Sequence, residues 1–330
     1  MRKISQKDIA ESLNLSRVTV TKALKDHPDI ATETIRKVKD KALEMGYIPD
    51  FIGRSLSSRR THTIGIVIPK IAHSFFSYSI EKIYEAARER GYNIIPMVSF
   101  EDSEKELENI RTLLSMRVDG IILDPTQNHQ QNTNYELAIN AGCKLVFYDR
   151  CPVKHTIGSV VTDDRNGAYN LTKLLIDKGY RKIYHLTGSP ALNISKERRI
   201  GYEEAMSEHN LMCHILEVEL TRKCGYETII RMAKDQELPD AVFAINDPVA
   251  HGIYDAAAEL GLKIPGDIAV AGFGDIYTSA MMNPPLTSVR PPLDLMAKAV
   301  VETIVMMIEN DIDPREQQVF ASKLIEREST

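Results

Sequence analysis

The chain has 330 residues, 43% of them hydrophobic, which is enough to bury two or three domain cores. Its net charge of -5 conceals a split: residues 1–60 carry 13 Lys and Arg against 8 Asp and Glu, whereas the remainder carries 28 against 38. A basic head on an acidic body predicts a polyanionic partner for the head alone. No run of eighteen apolar residues is present, which argues against a membrane span. The opening MRKISQKDIAESL turns amphipathic and acidic too early for an export signal. Cys143, Cys151, Cys213 and Cys224 stand at spacings that fit no metal site, so scattered reduced thiols in a cytoplasmic protein are expected.

Ser5 can cap a helix beginning at Gln6, with Asp8 three residues on to favour its positive end. Ile9 and Leu13 share one face. Asn14 breaks the run, Leu15 returns to the core, and Ser16 can cap a second helix in which Val20, Ala23 and Leu24 face inward. On the opposite face Arg17 pairs by spacing with Thr21, and Val18 with Lys22, in a stripe that begins where backbone N–H groups can meet phosphates. A short helix, a tight turn and a second helix so decorated is the geometry that enters a major groove. An ordinary solvated helix face would accommodate any one of these residues. A third helix, from about Thr32 to Met45, turns Ile35, Val38 and Ala42 inward and ends at Gly46 and Pro49. Its Arg36, Lys37, Lys39 and Lys41 fit a solvated face as well as they fit phosphate contact.

Residues 50–62, DFIGRSLSSRRTH, are polar, serine-rich and basic, and an isolated segment this short does not hold a helix in water. From Thr63 onward, short apolar runs alternate with amphipathic stretches such as 75–90 and 166–179. The runs are TIGIVIP, YNIIPMV, VDGIILDP, CKLVFYD, RKIYHLTG, CHILEVEL, PDAVFAIND and DIAVAGF. Such alternation predicts an α/β body of parallel sheet with crossover helices, and the number of runs predicts two sheets. Ligands of such sheets sit beyond the carboxyl ends of the strands. The residues there are Ile71, Ser74, Phe75 and Phe76, then Asp124, then Asp149 and Arg150. Asn193, Lys196 and Arg198 follow, then Asn246 and Asp247, and finally Asp275. Carboxylates, amides and a guanidinium around an aromatic suit a ligand with many hydroxyls. Asp247 fits a helix cap equally well, and Asp149 could be tied up by Arg150. No HExxH, Walker loop, GxGxxG or nucleophile–base set occurs, so neither an enzyme nor a cofactor or metal is expected.

The segments DIAESLNLSRVTVTKAL, HPDIATETIRKVKDKALEMGYIPD and GRSLSSRRTHTIGIVIP resemble the LacI/GalR family of bacterial repressors. The resemblance continues in register through VDGIILDP, FYDR, DKGYRKIYHLTG, ERRIGY, PDAVFAINDPVAHG, GLKIPGDIAVAGF, NPPLTSVRPPL and IEREST. It covers essentially the whole chain. It implies a helix-turn-helix domain over 1–49, a hinge over 50–62, and an effector-binding and dimerisation body over 63–330. The body would comprise two doubly wound subdomains of periplasmic-binding-protein type, one of about 63–161 with 288–318, the other of about 162–287 with 319–330. Base contacts fall on Arg17, Val18 and Lys22, and a minor-groove wedge on Leu56. Backbone contact or support falls on Ser5, Ser16, Thr19, Thr21, Lys25, Thr34, Arg54 and Arg59, with Arg60 beside them. Effector contacts fall on Phe76, Asp149, Arg198 and Asn246, with Phe75, Asp124, Asp247 and Asp275 completing the expected set. Gly274 stands where sugar- and purine-responsive relatives often carry an acidic residue.

The function so implied is that of a cytoplasmic, nucleoid-associated repressor. It would bind a palindromic double-stranded operator as a homodimer or higher assembly, under control of a sugar-like effector, with no membrane partner. A periplasmic-type binding protein would share the body but not residues 1–60. If Leu56 is the wedge, Leu56→Gly weakens specific operator binding in a gel-shift titration while effector affinity stays unchanged. An unaltered operator affinity would exclude that role.

Overall fold

Among the described residues three helices build the first of two separately folded units, Met1–Thr61 and His62–Thr330, in a computed structural model. It describes residues 4–48, 60–72, 74–126, 134–152, 158–312 and 316–330. Leu56, Arg54 and Arg59 lie outside these residues. Helix α1 (Gln6–Leu13) opens with a reciprocal capping box: the Ser5 side chain accepts from the Asp8 amide, and the Asp8 carboxylate accepts from the Ser5 amide at 2.8 Å. It ends at Asn14 with φ 54, a left-handed backbone that a short polar side chain tolerates. Ser16 caps α2 (Arg17–Ala23), accepting from the Thr19 amide at 3.0 Å. Helix α3 (Thr32–Glu44) stops just before Gly46, whose φ is 66. Ile9, Ala10, Val20, Ala23, Val38 and Ala42 close a small core between them.

The second unit holds two six-stranded sheets. The first contains β1 (Thr63–Ile68), β2 (Asn93–Val98), β3 (Gly120–Leu123), β4 (Lys144–Tyr148), β5 (Ser159–Thr162) and β11 (Gln318–Phe320). Its order is β11-β5-β4-β3-β1-β2, and every pairing is parallel. Helices α4 (Ser74–Glu89) and α11 (Leu293–Asn310) cover one face through Ile83, Val300 and Ile304. Helices α5 (Ser103–Ser115) and α6 (Asn134–Asn140) cover the other through Ile110, Leu113 and Tyr135. Being covered on both faces explains why β1 is buried at all six positions. The edge strand β2 is only partly covered and tolerates Pro96.

The second sheet contains β6 (Ile183–Thr187), β7 (His214–Glu217), β8 (Ala241–Ala244), β9 (Ala269–Phe273), β10 (Thr287–Arg290) and β12 (Lys323–Ile325), in the order β12-β10-β9-β8-β6-β7. Only β12 runs antiparallel among its described pairings. Helices α7 (Asp164–Asp177) and α8 (Asn193–Glu208) pack on one face through Leu171 and Tyr202. Helices α9 (Arg222–Lys234) and α10 (Asp247–Leu260) pack on the other through Ile229 and Ile253.

Among the described residues the chain passes between the sheets three times, from β5 into α7, from β10 into α11 and from β11 into β12. The second and third crossings fall slightly later than positions 288 and 319. Val289 pairs with Phe273 and so stays in the second sheet, and Val319 pairs with Val161 and so stays in the first. Ladder partners set these borders, and composition alone does not reveal them. In each sheet the strand order reverses between the first and third strands of its half (β1 and β3, β6 and β8), which opens a crevice at their carboxyl ends.

Helices α9 and α10 approach each other through a pair of glycines. A Cβ at Gly252 would stand 1.9 Å from the Arg222 carbonyl oxygen, and one at Gly225 would stand 2.1 Å from that of Val249. Because backbone, not a flexible side chain, opposes each methyl, Gly252→Ala is expected to cost about 1–3 kcal/mol of stability in a urea titration. An unchanged denaturation midpoint would contradict so close a contact.

Candidate functional site

The two crevices face one another, and between the sheets lies a cavity of about 50 Å3. Lys70, Phe75, Phe76, Glu101, Asp149 and Arg150 line it from the first subdomain. Ile194, Arg198, Leu220, Asn246, Phe273 and Gly274 line it from the second. Asp149 leaves β4 in a left-handed backbone, φ 60, and is buried with its Oδ1 unpartnered among the described residues. Burial raises its pKa, against the pull of Arg198 and Arg150. Asn193, the first residue of α8, donates to the Asp149 carbonyl at 3.2 Å and accepts from the Cys151 amide at 2.8 Å, so it fastens the two walls together.

Arg198 sits on α8 and is buried. Its Nε and Nη2 donate to Asp164 Oδ1 at 2.8 and 2.7 Å, and its Nη1 donates to the Ile245 carbonyl at 2.6 Å. Its guanidinium lies 3.6 Å from the centroid of the Phe273 ring. Asn246 caps α10, accepting from the Val249 amide at 3.0 Å. Arg150 turns away from its neighbour Asp149. It donates to Glu101 at 3.0 Å and to the Pro125 carbonyl at 3.3 Å, and it lies over the Phe76 ring at 5.6 Å. The walls thus offer an acceptor without a donor, a fixed guanidinium and aromatic surfaces, the means to hold a small polyhydroxylated molecule.

In the head unit, α2 presents Arg17 and Val18 to solvent, Val18 being 66% exposed. The Thr21 hydroxyl lies 2.7 Å from Gln6 Oε1 and 2.8 Å from the Arg17 carbonyl, so it serves the helix pair itself. Lys22 Nζ is 2.7 Å from Asp29 Oδ2, in an exposed pair that salt weakens. Lys37, Lys39 and Lys41 pair with Glu33, Asp26 and Glu44. Arg17, Lys25 and Arg36 keep exposed cationic groups with no ion pair among the described residues. Ser5 and Ser16 are engaged as caps, Thr19 bonds Ser16 at 2.8 Å, and Thr34 is half-buried in the first turn of α3.

Residues 172–330 match the family profile described as a Periplasmic binding protein-like domain. Across 330 residues the chain is 30% identical to the HTH-type transcriptional regulator RegA of Clostridium saccharobutylicum, covering 99% of each chain. The chain belongs to the LacI/GalR family. A lac repressor dimer bound to operator and the anti-inducer ONPF shares the fold, with TM-score 0.88 at 21% identity over 100% of this chain and 99% of that one. A LacI transcriptional regulator from Alkaliphilus metalliredigens QYMF, complexed with D-xylulofuranose, matches at TM-score 0.72 and 27% identity over 82% and 99%. This LacI/GalR member is a DNA-binding transcription regulator and not an enzyme.

Three of the acids expected around the effector are not on the cavity wall of this LacI/GalR body. Asp124 is buried behind Arg150, 3.6 Å from its Nε, and burial raises its pKa well above the usual carboxylate range. Asp247 accepts from the Ile276 amide at 2.8 Å, Ser279 Oγ at 2.7 Å and Ser288 Oγ at 2.6 Å, and so sews α10 to its own subdomain. Asp275 is clamped by Arg290 at 2.5 Å and Arg327 at 2.7 Å. All three follow strands, but their side chains turn back into the fold. Glu101 and Leu220, absent from the sequence expectation, stand in the cavity beyond β2 and β7. The rule applied to the other strands would have found them. Lys70, Ile194 and Phe273 were not singled out by that rule either.

Asp164 carries the clearest pH signature of the site. Burial, opposed mainly by Arg198, lifts its pKa from 3.8 to about 7. A carboxyl raised on folding contributes most below its unfolded pKa, and that contribution is lost as pH rises through the folded one. Asp164→Asn should therefore flatten the fall in thermal stability between pH 4 and 7. An unchanged profile would mean that Asp164 does not titrate in this window.

Proposed function

We propose that this regulator is a repressor that binds a palindromic operator as a homodimer, with its affinity set by a polyhydroxylated effector held between the two sheets. It would act in the cytoplasm on the nucleoid. The observation that carries the effector reading is the unpartnered, buried Oδ1 of Asp149 in a cavity that also holds the fixed guanidinium of Arg198. An effector hydroxyl donates to Asp149, Arg198 and Asn246 orient the remaining polar groups, and Phe75, Phe76 and Phe273 cover the apolar faces.

On DNA, Arg17 and Lys22 donate to guanine edges and Val18 offers an apolar contact such as a thymine methyl, once Lys22 releases Asp29. Ser5, Ser16, Thr19, Thr21, Lys25 and Thr34 hold or brace the backbone contact, and Leu56 with Arg54 and Arg59 anchors the hinge. One recognition helix reads few bases, so a two-fold assembly on a palindrome supplies the specificity. Tyr277 and Met281, 75% and 66% exposed, are apolar surface of the kind a homodimer covers. An effector that grips both walls favours one spacing of the subdomains over another, and the three crossings carry that preference to the hinges.

The test is fluorescence anisotropy on an operator selected from a random-sequence library. A palindrome is expected to be enriched, and a single half-site would overturn the dimeric reading. Arg198→Lys, which keeps a cation beside Asp164, is expected to keep operator affinity and lose the effector response. A normal response in that variant would refute the assignment.

A further inference from the structure

We infer that the effector is an anion, a monosaccharide carrying a carboxylate or phosphate group whose charge is met by Lys70. The inference rests on reading the cavity as the effector site, and it adds the charge of the ligand. Lys70 lines the cavity from the loop after β1. Its ammonium takes part in no ion pair or hydrogen bond among the described residues, although Glu101 and Asp149 line the same cavity. The other two cations of the walls are already engaged by hydrogen bonds within the fold, Arg198 with Asp164 and the Ile245 carbonyl and Arg150 with Glu101 and the Pro125 carbonyl. Lys70 is thus the one wall cation left for a ligand among the described residues.

The opposite wall contributes a second, independent observation. The acid at the end of β9, Asp275, is withdrawn by Arg290 and Arg327, its side chain only 1% exposed. Gly274 beside it presents no side chain to the cavity that it lines. A Cβ there would only come into ordinary contact with Ile276, at 3.8 Å, and its φ of +125 disfavours any other residue. The carboxylate nearest that position, Asp247 with its Oδ2 3.9 Å away, already accepts from the Ile276 amide, Ser279 Oγ and Ser288 Oγ. Helix α8 adds to the same balance. Its N-cap, Leu192, supplies no side-chain acceptor, and Ile194 in its first turn lines the cavity. A neutral sugar leaves Lys70 without a partner, whereas an anionic one gives it a charge-assisted hydrogen bond.

Titration calorimetry on the full-length protein tests this with matched sets: glucose, glucuronate and glucose 6-phosphate, then ribose, ribonate and ribose 5-phosphate. At least one anion is expected to bind about 10-fold more tightly than its neutral parent, with an advantage that shrinks as ionic strength rises. The carboxylate and phosphate arms decide which anion Lys70 serves. Lys70→Met is expected to bring the anion down to the affinity of its parent, and Lys70→Arg to restore part of the preference. Neutral sugars binding as well as or better than the anions would overturn the inference, as would an anion preference that survives Lys70→Met. If neutral sugars alone bind and Arg198→Lys, which keeps a cation beside Asp164, abolishes that binding, the effector cavity stands and only its charge preference falls. If no member of either set binds or alters operator affinity, the anion inference falls together with the reading beneath it.

Discussion

The pairing of Arg198 with Asp164 ties the cavity wall to the frame of the second subdomain. Asp164 is the first residue of α7, reached immediately after the first crossing from β5, and Arg198 rises from α8 beside it. The same guanidinium also holds the carbonyl at the end of β8 and rests on the last aromatic of β9. Both partners are buried, and removing one member of such a pair generally costs about 3–5 kcal/mol, because the other is left charged without compensation. Four segments of the second subdomain are therefore registered through one side chain, which also forms part of the cavity wall. A ligand that draws on Arg198 acts on the joint between chain crossing and sheet and on a binding surface at once.

The acids of the body separate by orientation, which their sequence positions do not disclose. Asp149, Asp247 and Asp275 all follow strands, yet one lines the cavity with a buried oxygen that has no hydrogen-bond partner among the described residues, one accepts three hydrogen bonds inside its own subdomain, and one is held between two arginines. Burial cost explains the difference. A carboxylate taken out of water must be paired, hydrogen-bonded or protonated. Asp247 is satisfied by hydrogen bonds and Asp275 by its ion pairs, whereas Asp149 Oδ1 has neither among the described residues.

Local grammar was legible where short-range chemistry decides the outcome. Ser5, Asp8, Asn14, Ser16 and Gly46 announce the helices of the head because a cap is a contact within four residues. The apolar runs of the body announce their strands because both faces of a parallel sheet are buried. The short strands β5, β10, β11 and β12 were not among those runs. They are three or four residues long, and only their ladder partners identify them. The same limit applies to the cavity. Position at a strand end pointed to Phe76, Asp149, Arg198 and Asn246, which the cavity does bring together. The rotation of Asp124, Asp247 and Asp275 away from it depends on Arg150, Ser288 and Arg327, partners far away in sequence or hidden by packing.

The last crossing has a consequence for how the chain acquires its fold. Strand β11 completes an edge of the first sheet, and β12, which begins three residues after it ends, completes an edge of the second. Beyond β12, the Ser329 hydroxyl donates to the Val270 carbonyl at 2.6 Å, and the Val270 amide donates to the Ser329 carbonyl at 2.9 Å, so this segment also ties into β9. Neither sheet can therefore be finished from residues before 318 alone. During synthesis the two halves must wait, each with one edge open, until the same short stretch of chain has left the ribosome, and the two subdomains reach their final form together.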